Sequence, residues 1–208
     1  KSPQHRFSHI FLISGSKSFH GFDGVPASFR FDKLEVVEYI LAQQERIIEH
    51  NSQQTDNAKR YRSRILVIVD DCSTNRKHSE GLEHPLLRTI AQNGRHYSLR
   101  DKYEPQGGEM PNSVNTVIIS QCYKQIPKPI RLNTDVFFCS HISSLVERRD
   151  LLDENFHACD GSTDGKRHGQ HVYEMLTTHQ PYAFVCVELY RQQKKTLTDY
   201  IRRYKAEP

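Results

Sequence analysis

Hydrophobic residues in this chain are concentrated in short continuous runs rather than in alternating patterns. The runs are HIFLIS (His9–Ser14), ILVIV (Ile65–Val69), TVIIS (Thr116–Ser120), DVFFCS (Asp135–Ser140) and YAFVCVELY (Tyr182–Tyr190). They are rich in β-branched and aromatic residues, and continuous runs are typical of strands that are covered on both faces. We therefore predict one mostly parallel sheet, with ILVIV in its centre and next to TVIIS.

Helical periodicity occurs between these runs. The segments with an apolar stripe at helical spacing are Asp32–Asn51, His84–Gly94, Ser144–Phe156 and Thr196–Lys205. An acidic residue three positions after an Asp or Ser predicts capping boxes at Asp32 and at Ser144. Strands that alternate with helices indicate an α/β fold with a doubly wound sheet and helices on both faces.

Three segments have the composition of loops, and none of them divides the chain. These segments are Ser14–Ser28, Leu99–Ser113 and His157–Gln170. Since neither an internal repeat nor a linker interrupts the pattern, we expect residues 1–208 to form a single domain.

Composition and charge narrow the class of protein. Charged residues make up 26% of the 208 residues and hydrophobic ones 36%, which is typical of a soluble globular domain. No apolar run approaches the ~20 residues of a membrane span, and no signal-peptide pattern opens the chain. The net charge of +4 permits an acidic partner such as nucleic acid. Five cysteines without a CxxC pair favour a reducing, intracellular compartment.

Two adjacent carboxylates, Asp70 and Asp71, directly follow the ILVIV run. Ligands of open α/β sheets bind outside the carboxyl ends of the strands, so this position is typical of a nucleotide site. There, Asp70 would hold Mg²⁺ and Asp71 would orient or deprotonate the attacking water. The alternative is that the two residues merely end a strand and begin a loop.

Gln121 follows the TVIIS run, one strand–helix unit after Asp71. A polar residue at the end of the neighbouring strand can sense the γ-phosphate of a nucleotide or position a water molecule. A strand-end glutamine can equally well bind loop backbone.

A phosphate-binding loop is missing from the sequence. Such a loop needs G-x-x-x-x-G-K-[ST] between a strand and a helix. Ser14–Ser18 has only one Gly, and in Gly161–Arg167 the first Gly is one position too close and Arg167 replaces the hydroxyl residue. We therefore expect that the loop, with its strand and helix, lies upstream of Lys1 or has been lost.

Two metal patterns are weaker alternatives. Cys139, His141, His157 and Cys159 have the residue types of a zinc site, although a strand-end Cys139 is the simpler interpretation. Asp160–Gly165 imitates the start of a calcium loop, but position twelve is His171 instead of Glu.

The ordered series of motifs resembles one known family. RILVIVDDC is followed by GRHY, by VIISQCYKQIPKPIRLNTDVFF with its R-x-N-x-D pattern (Arg131, Asn133, Asp135), and by LYR and DYIRRYKA near the end. In order and spacing, these motifs resemble the poxvirus-type genome-packaging ATPases of the FtsK–HerA superfamily, from about His9 to the end of the chain. This family occurs in large DNA viruses and Polinton-like elements.

The resemblance implies a RecA-like ATPase core that binds Mg²⁺ and ATP, assembles as a homo-oligomeric ring and translocates double-stranded DNA. In viruses the DNA enters a preformed capsid, so portal-like or capsid proteins are implied partners, in a virus factory, a virion, or the host cytoplasm or nucleus. By matching position, Asp70 and Asp71 are the Walker B pair, Gln121 is the polar sensor and Arg95 is the arginine finger. Arg131 is the other candidate for the arginine finger.

Two alternatives stand beside an ATP-driven motor. The chain would be a non-catalytic homologue that serves as a structural subunit if it had lost its phosphate-binding loop. It would be an unrelated α/β nucleotide-binding protein if Asp70 and Gln121 did not lie on adjacent strands.

Overall fold

We analysed a computed structural model, which describes residues 7–56, 59–72, 84–93, 112–156, 163–178, 183–189 and 201–205. The chain divides into two compact units. The first unit consists of Lys1–Gln121 with Gln125–Leu132, and the second of Cys122–Lys124 with Asn133–Pro208. Within these described ranges, no helix combines the length and apolar character that a bilayer crossing requires.

The first unit contains a four-stranded parallel sheet. Its strands are β1 (His9–Ser14), β2 (Arg30–Phe31), β3 (Ser63–Asp70) and β4 (Asn112–Ile119), in the order β2-β1-β3-β4. The strand that contains ILVIV is therefore internal and lies beside the one that contains TVIIS, which confirms this part of the prediction. The unit is of the α/β class, because α-helices lie between β2 and β3 and between β3 and β4 in the sequence, whereas the connection from β1 to β2 contains only a 3-10 turn.

Helices α1 (Val36–Gln53), α2 (Pro85–Asn93) and α3 (Lys128–Arg131) belong to this unit. Side chains from all three form one core with one face of the sheet. This core includes Ile13, Val37, Ile40, Val67, Val69, Leu87, Val114 and Ile130. Residues at helical spacing on α1 thus meet residues at alternate positions of the strands, as the two periodicities require.

The predicted capping box at Asp32 is wrong. The N-cap of α1 is Glu35, which makes no side-chain capping hydrogen bond. Asp32 instead forms an ion pair with Lys17, with 3.0 Å between Nζ and Oδ2. By contrast, one of the two hydrogen bonds of the predicted capping box at Ser144 is present. The Ser144 hydroxyl accepts a hydrogen bond from the Glu147 amide at 3.4 Å.

The second unit contains a three-stranded antiparallel sheet. Its strands β5 (Val136–Cys139), β6 (Ala183–Glu188) and β7 (Ile201–Lys205) are arranged in that order. The prediction that all five apolar runs share one mostly parallel sheet is therefore wrong, because DVFFCS and YAFVCVELY pair with each other in this second sheet. A continuous apolar run reports burial and carries no information on the direction of the neighbouring strand.

Two further predictions in the second unit are wrong. The stripe in Thr196–Lys205 predicts a helix, but Ile201–Lys205 is strand β7, which pairs with β6. The loop predicted for His157–Gln170 overlaps α5 (Thr163–Thr177). Both segments obtain their structure from tertiary packing, which overrides weak local preferences.

Helices α4 (Leu145–Asn155) and α5 pack on one face of the antiparallel sheet. Their shared core includes Leu151, Phe156, Tyr173, Val185, Val187 and Ile201. The aromatic rings of Phe156 and Tyr173 meet edge to face, with centroids 5.5 Å apart. The Tyr173 hydroxyl donates to the Ser140 carbonyl at 3.0 Å and accepts from the Ile142 amide at 2.9 Å, so this buried phenol satisfies its polar atom.

Gly169 allows α5 to approach the end of α4 closely. A Cβ atom at this position would lie 2.2 Å from the Phe156 carbonyl oxygen, which belongs to the C-cap of α4. Only a residue without a side chain fits this crossing.

Candidate functional site

Three strands of the parallel sheet end at one edge of the sheet. In the register of β1, β3 and β4, Ser14 lies beside Asp70 and Asp70 lies beside Ile119. Asp71 follows β3 and Gln121 is two residues beyond Ile119, on the neighbouring strand's continuation. Because carboxyl ends of parallel strands share an edge, Asp70, Asp71 and Gln121 are positioned where open α/β sheets bind ligands. Gln121 is exposed there.

Backbone hydrogen bonds join the three segments directly after the strands end. The Gly15 amide donates to the Asp70 carbonyl at 3.0 Å, and the Asp71 amide donates to the Ile119 carbonyl at 3.3 Å. These bonds extend the parallel pairing beyond the ends of the strands. The backbone at Asp70 and Asp71 is therefore held by the segment after β1 on one side and by the end of β4 on the other.

Gly15 is required because the loop after β1 closely approaches the backbone of Asp71 and Cys72. A Cβ atom on Gly15 would lie 2.6 Å from the Asp71 carbonyl oxygen and 2.7 Å from the Cys72 Cα. Sequence reasoning did not single out this residue, although a glycine directly after a buried strand is the available signal.

Asp71 adopts a left-handed backbone conformation, with a φ of 48°. Such a conformation costs a non-glycine residue roughly 1–2 kcal/mol, although Asp and Asn tolerate it better than most residues. Backbone strain of this kind is concentrated at functional sites, where surrounding contacts maintain it. Here, the contacts with Gly15 and Ile119 supply that constraint.

The surroundings of Asp70 disfavour the ionised form of its carboxyl group. Partial burial raises the pKa of the Asp70 carboxyl above its ordinary value, and the neighbouring Asp71 carboxylate raises it further. Burial also raises the pKa of the thiol of Cys72, the next residue in the chain, to about 11. Cys72 is therefore a protonated packing residue rather than a nucleophile at neutral pH.

Asp70→Asn is expected to stabilise the metal-free protein at pH 7. A raised pKa in the folded state means that stability is highest below the unfolded value of 3.8 and falls as the pH rises through the folded pKa. Removing the charge should therefore raise the free energy of unfolding and Tm, by an amount that solvent screening keeps small. Thermal unfolding at pH 7 and at pH 3 measures the difference, which should vanish at the lower pH.

The control for this prediction is Asp32→Asn. Its hydrogen bond and ion pair with Lys17 lower the pKa of the Asp32 carboxyl, so this charge favours the folded state. The two Asp-to-Asn variants should therefore shift Tm at pH 7 in opposite directions. A destabilised Asp70→Asn variant would contradict the electrostatic argument.

The residues at this edge that could hold a metal ion are Asp70 and Asp71. Within the described ranges, no three His, Cys, Asp or Glu side chains form a metal-binding group. Mg²⁺ typically keeps several waters and binds one or two carboxylates together with substrate phosphates. Asp70 and Asp71 provide such carboxylates, and a cation between them and a phosphate would relieve their repulsion.

The loop after β1 does not form a phosphate-binding loop. Lys17 is ion-paired with Asp32, and the next helical residues are the 3-10 turn Ala27–Phe29. A helix N-terminus therefore does not follow Ser14–Ser18, and the amides that such an N-terminus would point at a phosphate are not provided. The second imperfect match, Gly161–Arg167, runs into α5, which begins at Thr163.

The remaining candidate residues are only partly described by the structure. Arg95 lies outside the described residues. Arg131 lies in α3, where its guanidinium donates to the Ile126 carbonyl. For the zinc alternative, burial raises the pKa of the Cys139 thiol to about 12, which disfavours the thiolate that zinc binds. Of the other members of that set, His141 has its Nδ1 atom 3.5 Å from the Thr177 hydroxyl, while His157 and Cys159 lie outside the described residues.

Comparisons of this chain with protein-family models, with curated proteins and with solved structures find no match.

Proposed function

We propose that this chain belongs to an ATP-driven motor that translocates double-stranded DNA, a packaging ATPase of the FtsK–HerA type. One observation carries the proposal: two adjacent carboxylates end an internal parallel strand, and Gln121 follows the strand beside it. A nucleotide hydrolase needs this combination, because the carboxylates serve the metal and the water while the neighbouring polar residue contacts the γ-phosphate.

Each of the three residues has a distinct role in this proposal. Asp70 holds Mg²⁺ through its water shell. The bound cation stabilises the ionised form of the Asp70 carboxyl, whose pKa is raised without it. Asp71 orients the attacking water or accepts its proton, from a backbone held by Gly15 and Ile119. Gln121 contacts the γ-phosphate or positions the water.

The proposed motor also needs a phosphate-binding loop, and the G-x-x-x-x-G-K-[ST] motif of such a loop does not occur in residues 1–208. In the proposed RecA-like core, the backbone amides and the lysine of that loop bind the β- and γ-phosphates. The full motor would act as a homo-oligomeric ring around DNA inside an infected or host cell, with capsid or portal-like proteins as further partners. The net charge of +4 is compatible with binding to DNA, which is a polyanion.

A second candidate function is that of a structural subunit without ATPase activity. The geometry of Ser14–Ser18 favours it, because the lysine that follows β1 is ion-paired with Asp32. ATP hydrolysis by the full-length product of the gene separates the two candidates. DNA-stimulated hydrolysis supports the motor, and no hydrolysis in the presence of DNA and Mg²⁺ supports the structural subunit.

The 208-residue chain itself is expected to bind Mg·ATP weakly or not at all. In this class of site, most ground-state contacts with phosphate come from the loop amides and the lysine, and carboxylates repel phosphates unless a cation lies between them. Titration calorimetry of the chain with Mg·ATP measures the affinity. A micromolar dissociation constant, on the order of −8 kcal/mol, would contradict the prediction and would point to Ser14–Ser18 or Gly161–Arg167 as the missed phosphate site.

A further inference from the structure

The chain leaves the first unit for three residues directly after Gln121. Cys122–Lys124 belongs to the second unit, whereas Gln121 and Gln125–Leu132 belong to the first. We call Cys122–Lys124 the crossing segment. The residues on either side of it are joined within the first unit, because the Ser120 hydroxyl donates to Oε1 of Gln125 at 3.4 Å. The residue that the proposed function assigns to the γ-phosphate is therefore followed at once by residues of the other unit.

Tyr123 anchors the crossing segment in the core of the second unit. It is 5% exposed, and its ring meets that of Phe137 edge to face, with centroids 5.4 Å apart. Its hydroxyl donates to Oε2 of Glu154 at 2.5 Å and accepts from Nδ2 of Asn155 at 2.8 Å. Both polar partners are residues of α4, and Asn155 is itself buried. A buried phenol that donates and accepts in this way is held in one orientation.

Lys124 adds a second contact with the same helix. Its Nζ atom lies 2.5 Å from Oδ2 of Asp150, a residue one helical turn before Glu154. Both charged side chains are partly exposed, so this ion pair stabilises the segment less than the buried phenol does. Residues four positions apart lie on one face of a helix. Two consecutive residues of the crossing segment therefore bind adjacent turns of α4.

We propose that Tyr123 is a positioning residue for Gln121 in ATP hydrolysis, an inference that rests on the proposed function. Two residues of extended chain span at most about 7 Å, so the anchored Tyr123 restricts where Gln121 can lie. Two residues before Gln121, the Ile119 carbonyl accepts from the Asp71 amide. Gln121 is thus bounded on both sides by a fixed residue. Loss of the hydrogen bonds of the phenol should let the segment after β4 move and should misplace the Gln121 side chain.

Nuclear magnetic relaxation of the 208-residue chain tests the anchor without any nucleotide. Tyr123→Phe removes the hydroxyl and keeps the ring. We expect the backbone order parameters of Gln121 and Cys122 to fall from the rigid range near ~0.85 towards ~0.6. Tyr39→Phe is the matched control, because Tyr39 is 62% exposed on α1, and it should leave both values unchanged. Unchanged order parameters in Tyr123→Phe would overturn the proposal.

Steady-state hydrolysis by the proposed motor with its phosphate-binding loop tests the role in the reaction. We expect Tyr123→Phe to lower kcat about five- to tenfold and to leave KM for ATP unchanged, because the loop supplies most of the ground-state binding. Combined with Gln121→Ala, Tyr123→Phe should cause no further loss, since Tyr123 acts through Gln121. Losses that multiply in the double variant would assign Tyr123 a purely structural role and would overturn the proposal.

Glu154 offers a second test if Tyr123→Phe does not fold, which circular dichroism will reveal. Glu154→Gln keeps an acceptor for the phenol and should behave like the wild type, whereas Glu154→Leu removes it and should reproduce both effects. Equal behaviour of the two Glu154 variants would overturn the proposal. A motor that hydrolyses no ATP would refute the proposed function and, with it, the role of Tyr123 in the reaction. A motor that hydrolyses ATP at the wild-type rate as Tyr123→Phe would refute this inference alone.

Discussion

In the proposed motor with its phosphate-binding loop, Asp71→Asn is expected to lower the rate of ATP hydrolysis by ~10²-fold or more at saturating ATP. Asparagine has the shape of aspartate and tolerates the left-handed backbone that Asp71 adopts, so the site should keep its geometry. What the variant lacks is the negative charge that orients or deprotonates the attacking water. Steady-state phosphate release measures the effect, and nucleotide binding should be retained.

Two comparisons make this result specific. Asp70→Asn should weaken the binding of Mg·ATP itself, because Asp70 is the carboxylate assigned to the cation. Asp23→Asn, at an exposed position in the loop after β1, should leave both binding and hydrolysis unchanged. Equal hydrolysis rates for the wild type and Asp71→Asn would remove Asp71 from the mechanism.

Gly169→Ala is expected to destabilise the fold by about 1–2 kcal/mol. Its new methyl group would lie 2.2 Å from the Phe156 carbonyl oxygen, so the backbone of α4 or α5 must move, and overpacking of this kind typically costs about 1–3 kcal/mol. Alanine's better helix propensity offsets about 1 kcal/mol at most. For a chain of this size, Tm should fall by about 2–8 °C.

The matched control is Gly24→Ala. A Cβ atom at Gly24 has no neighbour within 4 Å, so the same change of residue should leave Tm within about 1–2 °C of the wild type. Thermal unfolding of both variants, followed by circular dichroism, separates the helix crossing from a general effect of removing glycine. An unchanged Tm for Gly169→Ala would mean that α4 and α5 do not cross this closely.

The parallel sheet and its carboxylate edge were predictable from the sequence, because the relevant signals are local. ILVIV is a β-branched run without polar interruption, and Asp70 with Asp71 marks its end. Given that β3 and β4 are neighbours, the position of Gln121 follows from register alone. The family resemblance suggests roles for these residues. Their positions in the sheet are compatible with those roles, which the hydrolysis assay will test.

The antiparallel sheet was not predictable, because its signals are not local. Tyr200, Ile201 and Tyr204 have the spacing of a helix, yet Ile201–Lys205 pairs with β6. In the same way, the glycines around Gly165 indicate a loop, whereas Gly169 serves the close crossing of α5 and α4. The left-handed backbone conformation of Asp71 was not predictable from the sequence either, because it depends on contacts with Gly15 and Ile119 from distant parts of the chain.

The topology of the parallel sheet has a consequence for how the protein forms in the cell. The Ser8 hydroxyl, just before β1, bonds to Arg64 at the start of β3, 56 positions later, and Asn115 of β4 reaches back 50 positions to Ile65. Loop closure over such distances must precede the stabilising contacts, which slows folding. During synthesis, β1 can pair early with the short strand β2 but not with β3, and in the described part of the sheet β4 is an edge strand without charged side chains. We therefore expect the yield of folded protein to depend on chaperone capacity and growth temperature.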